Sequence, residues 1–183
     1  MKKVLIVVDM QEDFIRGPLG SPVAQAIIPA VRAKIDEYIA RGDRIIYTAD
    51  THDAQYSATH EGKCLPIPHC ISGSEGWKII KELDRGWKII KGLDRGEYEN
   101  DLLVFKSSFG YPFWEDMFDD ETEIELVGVC TDICVISNAL ILRMLYPEAE
   151  VTVDANCCAG ATPQKHEAAL DVMESCHINI INR

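Results

Sequence analysis

Three residues that could act together in nucleophilic catalysis, an aspartate, a lysine and a cysteine, stand at or just past the ends of short apolar runs. Asp9 and Lys106 directly follow such runs, and Cys134 lies a few residues beyond a third. A thiol becomes a strong nucleophile when it ionises, and a nearby lysine stabilises the thiolate by charge. An aspartate can take the thiol proton. The pattern therefore predicts Cys134 as a nucleophile supported by Asp9 and Lys106, provided that the fold brings them together.

The predicted helix that carries Cys134 adds two features to this hypothesis. We expect Thr131 or Asp132 to be its N-cap, which puts Cys134 in the first helical turn, where the helix dipole favours a negative sulfur. Backbone N–H groups around Cys130 and Cys134 could form an oxyanion hole. Cys130 is a competing nucleophile, but it stands at the buried end of the preceding strand. Each of these residues alone is more often structural, so the prediction rests on their joint placement.

A second group of polar residues has the composition of a metal site. Asp50 and His52 follow another apolar run, and His69 lies in the next loop. A spacing of two puts the side chains of Asp50 and His52 on the same side of an extended chain. Glu61, in the segment between, offers one more donor. Nitrogen and oxygen donors suit a divalent metal, although ordinary loop histidines explain the spacing about as well.

The elements that must position these residues alternate between strand and helix patterns along the whole chain. The predicted strands are Val4–Val8, Arg44–Thr48, Leu102–Phe105, Ile124–Val129, Glu150–Val153 and His177–Ile181. The predicted helices are Val23–Arg41, Asp132–Tyr146 and Pro163–Glu174. This alternation predicts an α/β fold with a parallel sheet covered by helices on both faces. Ligands of such sheets gather at the carboxyl ends of the strands, where the polar residues described above stand.

Composition limits the classes of function that need to be considered. The chain has 183 residues, of which 47% are hydrophobic and 26% charged, and we expect one domain over residues 1–183. A net charge of −12 argues against a nucleic-acid partner. The first apolar run is too short for a signal peptide or a membrane span, so we expect a cytoplasmic protein without a membrane partner. An odd count of seven cysteines argues against a disulfide framework, and the lack of a CxxC pair argues against a structural zinc ribbon. A homo-oligomer stays open.

A tandem repeat of ten residues interrupts this regular pattern. Residues 77–86 read WKIIKELDRG and residues 87–96 read WKIIKGLDRG, so the copies differ only at Glu82 and Gly92. Solenoid repeats are longer and need more copies, so an array is not expected. Glycine weakens a continuous helix, and we expect a helix–turn–helix or a protruding loop without a chemical role.

Several ordered motifs resemble the isochorismatase-like cysteine hydrolase superfamily, and the resemblance spans nearly the whole chain. They are Val8–Phe14 (VDMQEDF), Lys106 and Gly128–Val135 (GVCTDICV). Asp50-Thr51-His52 and Leu65–Gly73 look like metal-binding segments of the nicotinamidase/pyrazinamidase branch, and Pro163–Met173 looks like the last helix of the superfamily. The chain departs from that branch at Thr51, where nicotinamidases often carry tryptophan, and at Leu65, where they often carry an aromatic residue.

This resemblance implies a three-layer α/β/α fold with a six-stranded parallel sheet and a catalytic triad of Asp9, Lys106 and Cys134. It also implies a cis peptide before Cys130 and an oxyanion hole made by the Cys130 and Cys134 amides. Phe14 corresponds to an aromatic residue that stacks on the substrate ring. The implied metal ligands are Asp50, His52, His69 and Glu61. The implied cofactor is a divalent metal, with zinc as the first choice and manganese or iron as alternatives.

The reaction implied by the resemblance is hydrolysis of a small amide, such as nicotinamide, to the acid and ammonia through a thioester on Cys134. Two alternatives stay open. One is a metal-independent relative that hydrolyses a carbamoyl or ureido compound. The other is a non-catalytic or redox-sensing protein in which Cys130 and Cys134 form a thiol pair. Hydrolysis of isochorismate is the weakest option, because those relatives typically lack the nucleophilic cysteine.

Overall fold

An eight-stranded sheet forms the centre of the protein in this computed structural model, which describes residues 2–86, 88–89, 95–98, 101–115 and 117–183. The strand order is β3-β4-β5-β2-β1-β6-β7-β8. The strands are β1 Lys3–Val8, β2 Arg44–Asp50, β3 Lys88–Ile89, β4 Arg95–Tyr98, β5 Asp101–Lys106, β6 Glu123–Val129, β7 Glu150–Ala159 and β8 Asn179–Ile181. The six strands from β5 to β8 in this order are parallel, which confirms the predicted six-stranded parallel sheet. The short strands β3 and β4 add an antiparallel extension at the β5 edge.

Helices cover both faces of the sheet and complete the predicted three-layer arrangement. They are α1 Glu12–Ile15, α2 Pro22–Ala26, α3 Ile28–Arg41, α4 His60–Cys64, α5 Ile136–Leu145 and α6 Pro163–Ser175, with a 3₁₀ turn at Tyr56–Ala58. Alternate residues of β1 enter two separate hydrophobic cores, as the period of two requires. Ile6 packs with residues of α5 and α6 on one face, and Leu5 packs with residues of α3 on the other. Both faces of the central strands are therefore buried.

The register of the parallel strands brings the polar strand ends to one edge. Val8, the last residue of β1, is paired with Thr48 of β2 and with Gly128 of β6. Asp50, at the end of β2, is paired with Lys106, at the end of β5. The carboxyl ends of these four strands therefore lie side by side, as the sequence predicts.

Two predicted helices have different boundaries in the structure. The helix predicted over Val23–Arg41 is divided into α2 and α3 at Ile27, next to Pro29 in the first turn of α3. Proline lacks the N–H that a continuous helix would need at this point. The helix predicted over Asp132–Tyr146 begins with a π-helical turn at Thr131–Val135 and becomes α-helical only from Ile136. The apolar pattern of this segment fits an α-helical turn and a π-helical turn equally well, so periodicity does not distinguish the two.

The two copies of the ten-residue repeat adopt different structures. The described residues of both copies contain no helix, so the expected helix–turn–helix is not formed there. In the first copy Ile79 makes an isolated bridge with Gln11, and Ile80 is fully buried. Of the second copy the structure describes β3 and the beginning of β4, while Gly92 lies outside the described residues. Tertiary context therefore determines the structure of this segment more than its local sequence does.

No helix among the described residues is long and apolar enough to cross a membrane.

Candidate active site

The Asp9, Lys106 and Cys134 side chains meet at the carboxyl edge of the sheet. The Lys106 ammonium lies 2.6 Å from Asp9 Oδ2 and 3.7 Å from Cys134 Sγ. Asp9 and the Lys106 side chain are fully buried, and Cys134 is 6% exposed. The fold thus places an acceptor of protons, a fixed positive charge and a thiol in direct contact, as the sequence pattern predicts.

The backbone around Asp9 fixes the direction of its carboxylate. Asp9 has a left-handed conformation with φ of 48°, and its amide donates to the Thr48 carbonyl oxygen at 3.2 Å. The Thr48 hydroxyl donates to Asp9 Oδ1 at 2.6 Å. On the other side of β1, Gly128 has φ of 117°, and a Cβ there would lie 2.1 Å from the Val8 carbonyl oxygen. Only glycine therefore allows β6 to approach the end of β1 this closely.

Burial controls the protonation of this group. Burial raises the pKa of Asp9, and the Lys106 ammonium only partly offsets this. Burial opposes the charged form of Lys106, but Asp9, Cys134 and Asp50 together raise the pKa of its ammonium. Burial also raises the pKa of the Cys134 thiol well above its usual range, against the attraction of Lys106. At neutral pH the sulfur is therefore protonated, and the neighbouring carboxylate is more basic than an exposed one.

The turn that carries Cys134 differs in detail from the sequence prediction. Cys130 occupies the N-cap position without a side-chain cap, so the predicted caps Thr131 and Asp132 are wrong. Both have other partners: Thr131 Oγ1 is hydrogen-bonded to His166 Nδ1 at 2.8 Å, and Asp132 accepts from the Ala161 amide at 2.8 Å. The peptide bond before Cys130 is cis, as the resemblance implied.

The two cysteines of this turn have different surroundings. Cys134 packs in the core on the α5 and α6 side of the sheet, whereas Cys130 packs against the core on the α3 side. Both are free thiols. Burial raises the pKa of Cys130 to about 12, and Asp132 adds to this effect. Lys106 donates to the sulfur of Cys134, so the local charge favours Cys134 over Cys130 as the nucleophile.

All four residues of the predicted metal group converge beside this triad. One donor atom from each of Asp50, His52, Glu61 and His69 lies within 4.8 Å of the others. Asp50 Oδ2 lies 3.0 Å from His52 Nε2 and 3.5 Å from His69 Nε2. Glu61 Oε1 lies 3.7 Å from both imidazole nitrogens.

The hydrogen bonds of the histidines fit a bound cation. His69 Nδ1 lies 2.8 Å from the Ile67 carbonyl oxygen, which can only accept, so Nδ1 carries the hydrogen. In the neutral ring, Nε2 then directs a lone pair towards two carboxylates, which is the usual arrangement of a metal-binding histidine. His52 Nε2 is buried and has no hydrogen-bond partner among the described residues. Carboxylate oxygens and imidazole lone pairs that face one another need a positive charge between them. These oxygen and nitrogen ligands suit a divalent metal.

Asp50 joins the two groups. Its Oδ1 lies 3.5 Å from the Lys106 ammonium, whereas its Oδ2 faces the histidines. Burial opposes ionisation of Asp50, but the positive charge of Lys106 is among the effects that outweigh it and lower the pKa of its carboxyl. The backbone of Asp50 is held on both sides by Gln11, whose Nε2 donates to the Asp50 carbonyl oxygen at 2.8 Å and whose Oε1 accepts from the Asp50 amide at 2.7 Å.

The first copy of the repeat supports the same region. Trp77 Nε1 donates to Thr51 Oγ1 at 2.8 Å, and the Trp77 carbonyl oxygen accepts from Gln11 Nε2 at 2.8 Å. The Trp77 ring lies against Phe105, with ring centroids 5.1 Å apart. An indole from the repeat therefore supports Thr51, the residue between the two metal-ligand candidates Asp50 and His52.

A cavity of about 450 Å³ opens above Cys134 and the metal group. Its walls are largely apolar, and among the lining residues are Phe14, Leu65, Phe109 and Ile133. Phe14 is half-buried, and its ring centroid lies 5.4 Å from that of His69. The volume suits a small organic molecule, and the aromatic wall next to the metal group suits a flat ring.

Comparisons with known proteins agree with this geometry. The sequence profile described as "Isochorismatase domain" matches residues 3–183. The chain belongs to the isochorismatase family. Within the family, it is 26% identical over 206 aligned positions to the nicotinamidase/pyrazinamidase of Mycobacterium tuberculosis, covering 98% of both chains.

Solved structures show the same similarity. The pyrazinamidase of Pyrococcus horikoshii, crystallised in complex with zinc, superposes with a TM-score of 0.79 at 25% identity over 100% of both chains. The nicotinamidase/pyrazinamidase of Bacillus subtilis gives a TM-score of 0.79 at 26% identity, covering 98% of this chain and 99% of that one. These similarities indicate an amidohydrolase.

The structure also identifies supporting residues of this isochorismatase-family site that sequence reasoning missed. Thr48 was interpreted only as a strand residue, and Gln11 was noted only as part of a motif. The sequence contains a signal for both residues, because a polar residue at a buried strand end needs a hydrogen-bond partner. The identity of that partner depends on the register between strands, which the sequence does not display.

Proposed function

We propose that this protein is a cysteine-dependent, metal-assisted amidohydrolase that converts nicotinamide, or a similar small heteroaromatic amide, to the acid and ammonia. The observation that carries the proposal is the Cys134 thiol, which lines an apolar cavity while it contacts a lysine that is paired with a buried aspartate. A thiol in this position can form a covalent intermediate, because both its proton acceptor and its stabilising charge are already in contact.

The first half of the reaction forms a thioester. Asp9 takes the proton of the Cys134 thiol, and the sulfur attacks the amide carbonyl carbon while Lys106 stabilises its charge. The amides of Cys130 and Cys134 hold the resulting oxyanion. Asp9 then returns its proton to the amide nitrogen, the C–N bond breaks and ammonia leaves. The raised pKa of Asp9 suits both tasks, since a more basic carboxylate accepts the thiol proton more readily.

The second half of the reaction restores the thiol. Asp9, which is again a carboxylate, takes a proton from water as the water oxygen attacks the thioester carbonyl carbon. The same two backbone amides hold the oxyanion. The C–S bond breaks, the sulfur recovers a proton from Asp9, and the carboxylic acid leaves.

The substrate ring is held next to these groups. A divalent ion held by Asp50, His52, Glu61 and His69, with zinc as the first choice and manganese or iron as alternatives, would act as a Lewis acid towards a ring nitrogen. Phe14 stacks on the ring from the adjacent wall. The names of the relatives, nicotinamidase and pyrazinamidase, support a small cyclic amide as the substrate class.

Ammonia release from nicotinamide tests this proposal. The wild-type enzyme loaded with zinc should release ammonia, and Cys134→Ala should lower kcat by more than about 10⁴-fold. Cys157→Ala, a second buried cysteine outside the cavity lining, is the matched control and should keep activity within about threefold of wild type. Full activity of Cys134→Ala would overturn the proposal.

A chelator distinguishes the metal-assisted reaction from its metal-independent alternative. Removal of the metal should abolish ammonia release from nicotinamide, and added zinc should restore it. Activity on a carbamoyl or ureido compound that survives both the chelator and His52→Ala would instead favour the metal-independent hydrolase. A stable disulfide between Cys130 and Cys134 under mild oxidation, without any amidase activity, would favour the thiol-pair protein.

A further inference from the structure

Asn138 is a fully buried polar residue on α5, one helical turn after Cys134. Residues four apart lie on the same face of a helix, so its side chain points along the same face as the Cys134 thiol. The amide is uncharged and does not belong to the triad or to the metal group. Its hydrogen bonds, however, connect the two segments of the chain that carry Lys106 and Cys134.

The first set of these hydrogen bonds holds the segment that follows Lys106. Asn138 Oδ1 accepts from the Tyr111 amide at 2.9 Å and from Trp114 Nε1 at 2.9 Å. Asn138 Nδ2 makes a longer contact of 3.4 Å with the Phe109 carbonyl oxygen. One side chain thus holds residues 109–114 through three contacts.

The second contact holds the turn that carries the nucleophile. Asn138 Nδ2 donates to the Cys134 carbonyl oxygen at 2.8 Å, and this bond is buried. Buried amide hydrogen bonds are costly to break, because the partner that remains is left without water. The position of the Cys134 backbone is therefore tied to the position of segment 109–114.

The residue just before this segment also contacts the Lys106 ammonium, which Asp9 holds from the other side. Lys106 Nζ donates to the Ser108 carbonyl oxygen at 3.1 Å and to Cys134 Sγ at 3.7 Å. Ser108 directly precedes Phe109, which Asn138 contacts and which lines the cavity. A shift of this segment would move the ammonium relative to the sulfur and would also move one wall of the cavity.

We propose that Asn138 is a positioning residue that sets the distance between the Lys106 ammonium and the Cys134 sulfur, and with it the place of Phe109. The inference rests on the proposed function, in which Cys134 is the nucleophile. Displacements of about 1 Å among catalytic groups can reduce the rate of catalysis by about 100-fold. A side chain that holds these groups in place can therefore have a large effect without touching the substrate.

Tyr146 supplies a matched control, because it holds the far end of the same segment. Its hydroxyl donates to the Trp114 carbonyl oxygen at 2.6 Å and accepts from the Met117 and Phe118 amides, each at 3.2 Å. It is 8% exposed and makes no hydrogen bond with Cys134 among the described residues. Tyr146→Phe therefore removes one buried hydrogen bond to the segment, and two to the residues that follow it, without releasing the turn of the nucleophile.

The experiment compares Asn138→Ala, Asn138→Asp and Tyr146→Phe with the wild-type enzyme. The pH dependence of Cys134 alkylation by iodoacetamide is followed by fragment-ion mass spectrometry, which separates Cys134 from Cys130. Thermal unfolding, and kcat and KM for nicotinamide, are measured on the same zinc-loaded samples. All three variants should unfold at lower temperature than wild type.

Only the Asn138 variants should change the chemistry of the thiol. Asn138→Ala should slow Cys134 alkylation and lower kcat, each by about 10-fold to 100-fold, with a smaller change in KM. Asn138→Asp keeps the acceptor for Tyr111 and Trp114 but loses the amide donor to Cys134, so its loss should be intermediate. Tyr146→Phe should stay within about threefold of wild type in both rates, since it leaves the contact with Cys134 in place.

Equal alkylation rates and equal kcat values for Asn138→Ala and Tyr146→Phe would overturn the inference. If Asn138→Ala does not fold, the same comparison between Asn138→Asp and Tyr146→Phe decides it. Alkylation needs neither a metal nor turnover, so the two proposals can fail separately. Wild-type enzyme that releases no ammonia contradicts the proposed function, whereas an active enzyme whose thiol is insensitive to Asn138 contradicts only the positioning role.

Discussion

Two groups in this protein each contain an aspartate, a lysine and a cysteine, and they differ in where they lie and in how deeply the lysine is buried. The first is Asp9, Lys106 and Cys134 at the carboxyl ends of the strands. The second is Asp154, Lys34 and Cys157, in which the Lys34 ammonium lies 3.0 Å from Asp154 Oδ2, and Cys157 follows Asp154 by three residues in β7 and lies near it in space.

The electrostatics of the two groups are similar. The Lys34 ammonium also lies 2.7 Å from Glu125 Oε1, just as the Lys106 ammonium also faces Asp50. Partial burial opposes the charged form of Lys34, but these carboxylates outweigh it and raise the pKa of its ammonium. Burial raises the pKa of Cys157 to about 12, and Asp154 adds to this effect. Composition and the signs of the charges therefore do not separate a catalytic group from a structural one, although Lys106 is fully buried and the Lys34 side chain stays 15% exposed.

Location separates them. Cys134 lines a cavity beside four metal-ligand candidates, whereas Cys157 is packed in the core on the α3 face. The partners of the second group also join structural elements: Tyr38 of α3 donates to Glu125 of β6 at 2.7 Å, and Asn182, past β8, donates to Asp154 at 3.0 Å. A buried ion pair acquires a chemical role only where a substrate can reach it.

The largest expected difference is between the two lysines. Lys106→Met should lower kcat by about 10²-fold to 10³-fold, because it removes the charge that stabilises the thiolate. Lys34→Met should keep activity within about threefold of wild type, yet cost up to about 3 kcal/mol of unfolding free energy, since it leaves the buried Asp154 and the partly exposed Glu125 without their cation. Steady-state kinetics and urea unfolding check both values. A comparable loss of kcat in the two variants would remove the distinction between the groups.

The next largest effect is expected at the metal group, on its affinity for zinc. His52→Ala should lower zinc affinity by at least about 10-fold, measured by calorimetry on metal-free protein, because it removes one of four donors. The control is His60→Ala, an exposed histidine of α4 that is not part of the four-residue group. Unchanged zinc binding in His52→Ala, or equal losses in both variants, would show that zinc binds elsewhere.

A smaller effect is expected at Thr48. Its hydroxyl bonds to Asp9 and lowers the pKa of that carboxyl, against the larger effect of burial. Thr48→Val keeps the shape, so the pKa of Asp9 should rise. Because Asp9 must be ionised to accept the thiol proton, the acidic limb of the kcat/KM profile should move to higher pH, with a loss of about 10-fold below its midpoint. An acidic limb at the wild-type pH would contradict this role of Asp9.

The sequence was sufficient for the six parallel strands and for the residues at their carboxyl ends, but not for the antiparallel strands β3 and β4. Apolar runs located all six parallel strands, and the strand-end rule placed Asp9, Lys106 and Cys134 together. The sequence was not sufficient to predict the side chains that hold these three residues in place. Thr48 and Asn138 act through partners distant in the chain, and those pairings follow from strand register and helix packing rather than from local pattern.

Two further features were outside the reach of local pattern. The helix pattern of residues 132–146 did not reveal the π-helical turn, because an apolar stripe does not report the hydrogen-bond period. The helix–turn–helix alternative for the repeat was wrong, because almost the same ten residues form turns in one copy and contribute to strands in the other.

The most direct test of the central claim is to trap the covalent intermediate. Zinc-loaded enzyme is mixed with nicotinamide, quenched in acid within the first turnover and digested for mass spectrometry. The predicted result is a nicotinoyl thioester on Cys134, with Cys130 and Cys157 unmodified. An acyl group on Cys130, or steady turnover by Cys134→Ala, would contradict the assignment of Cys134 as the nucleophile.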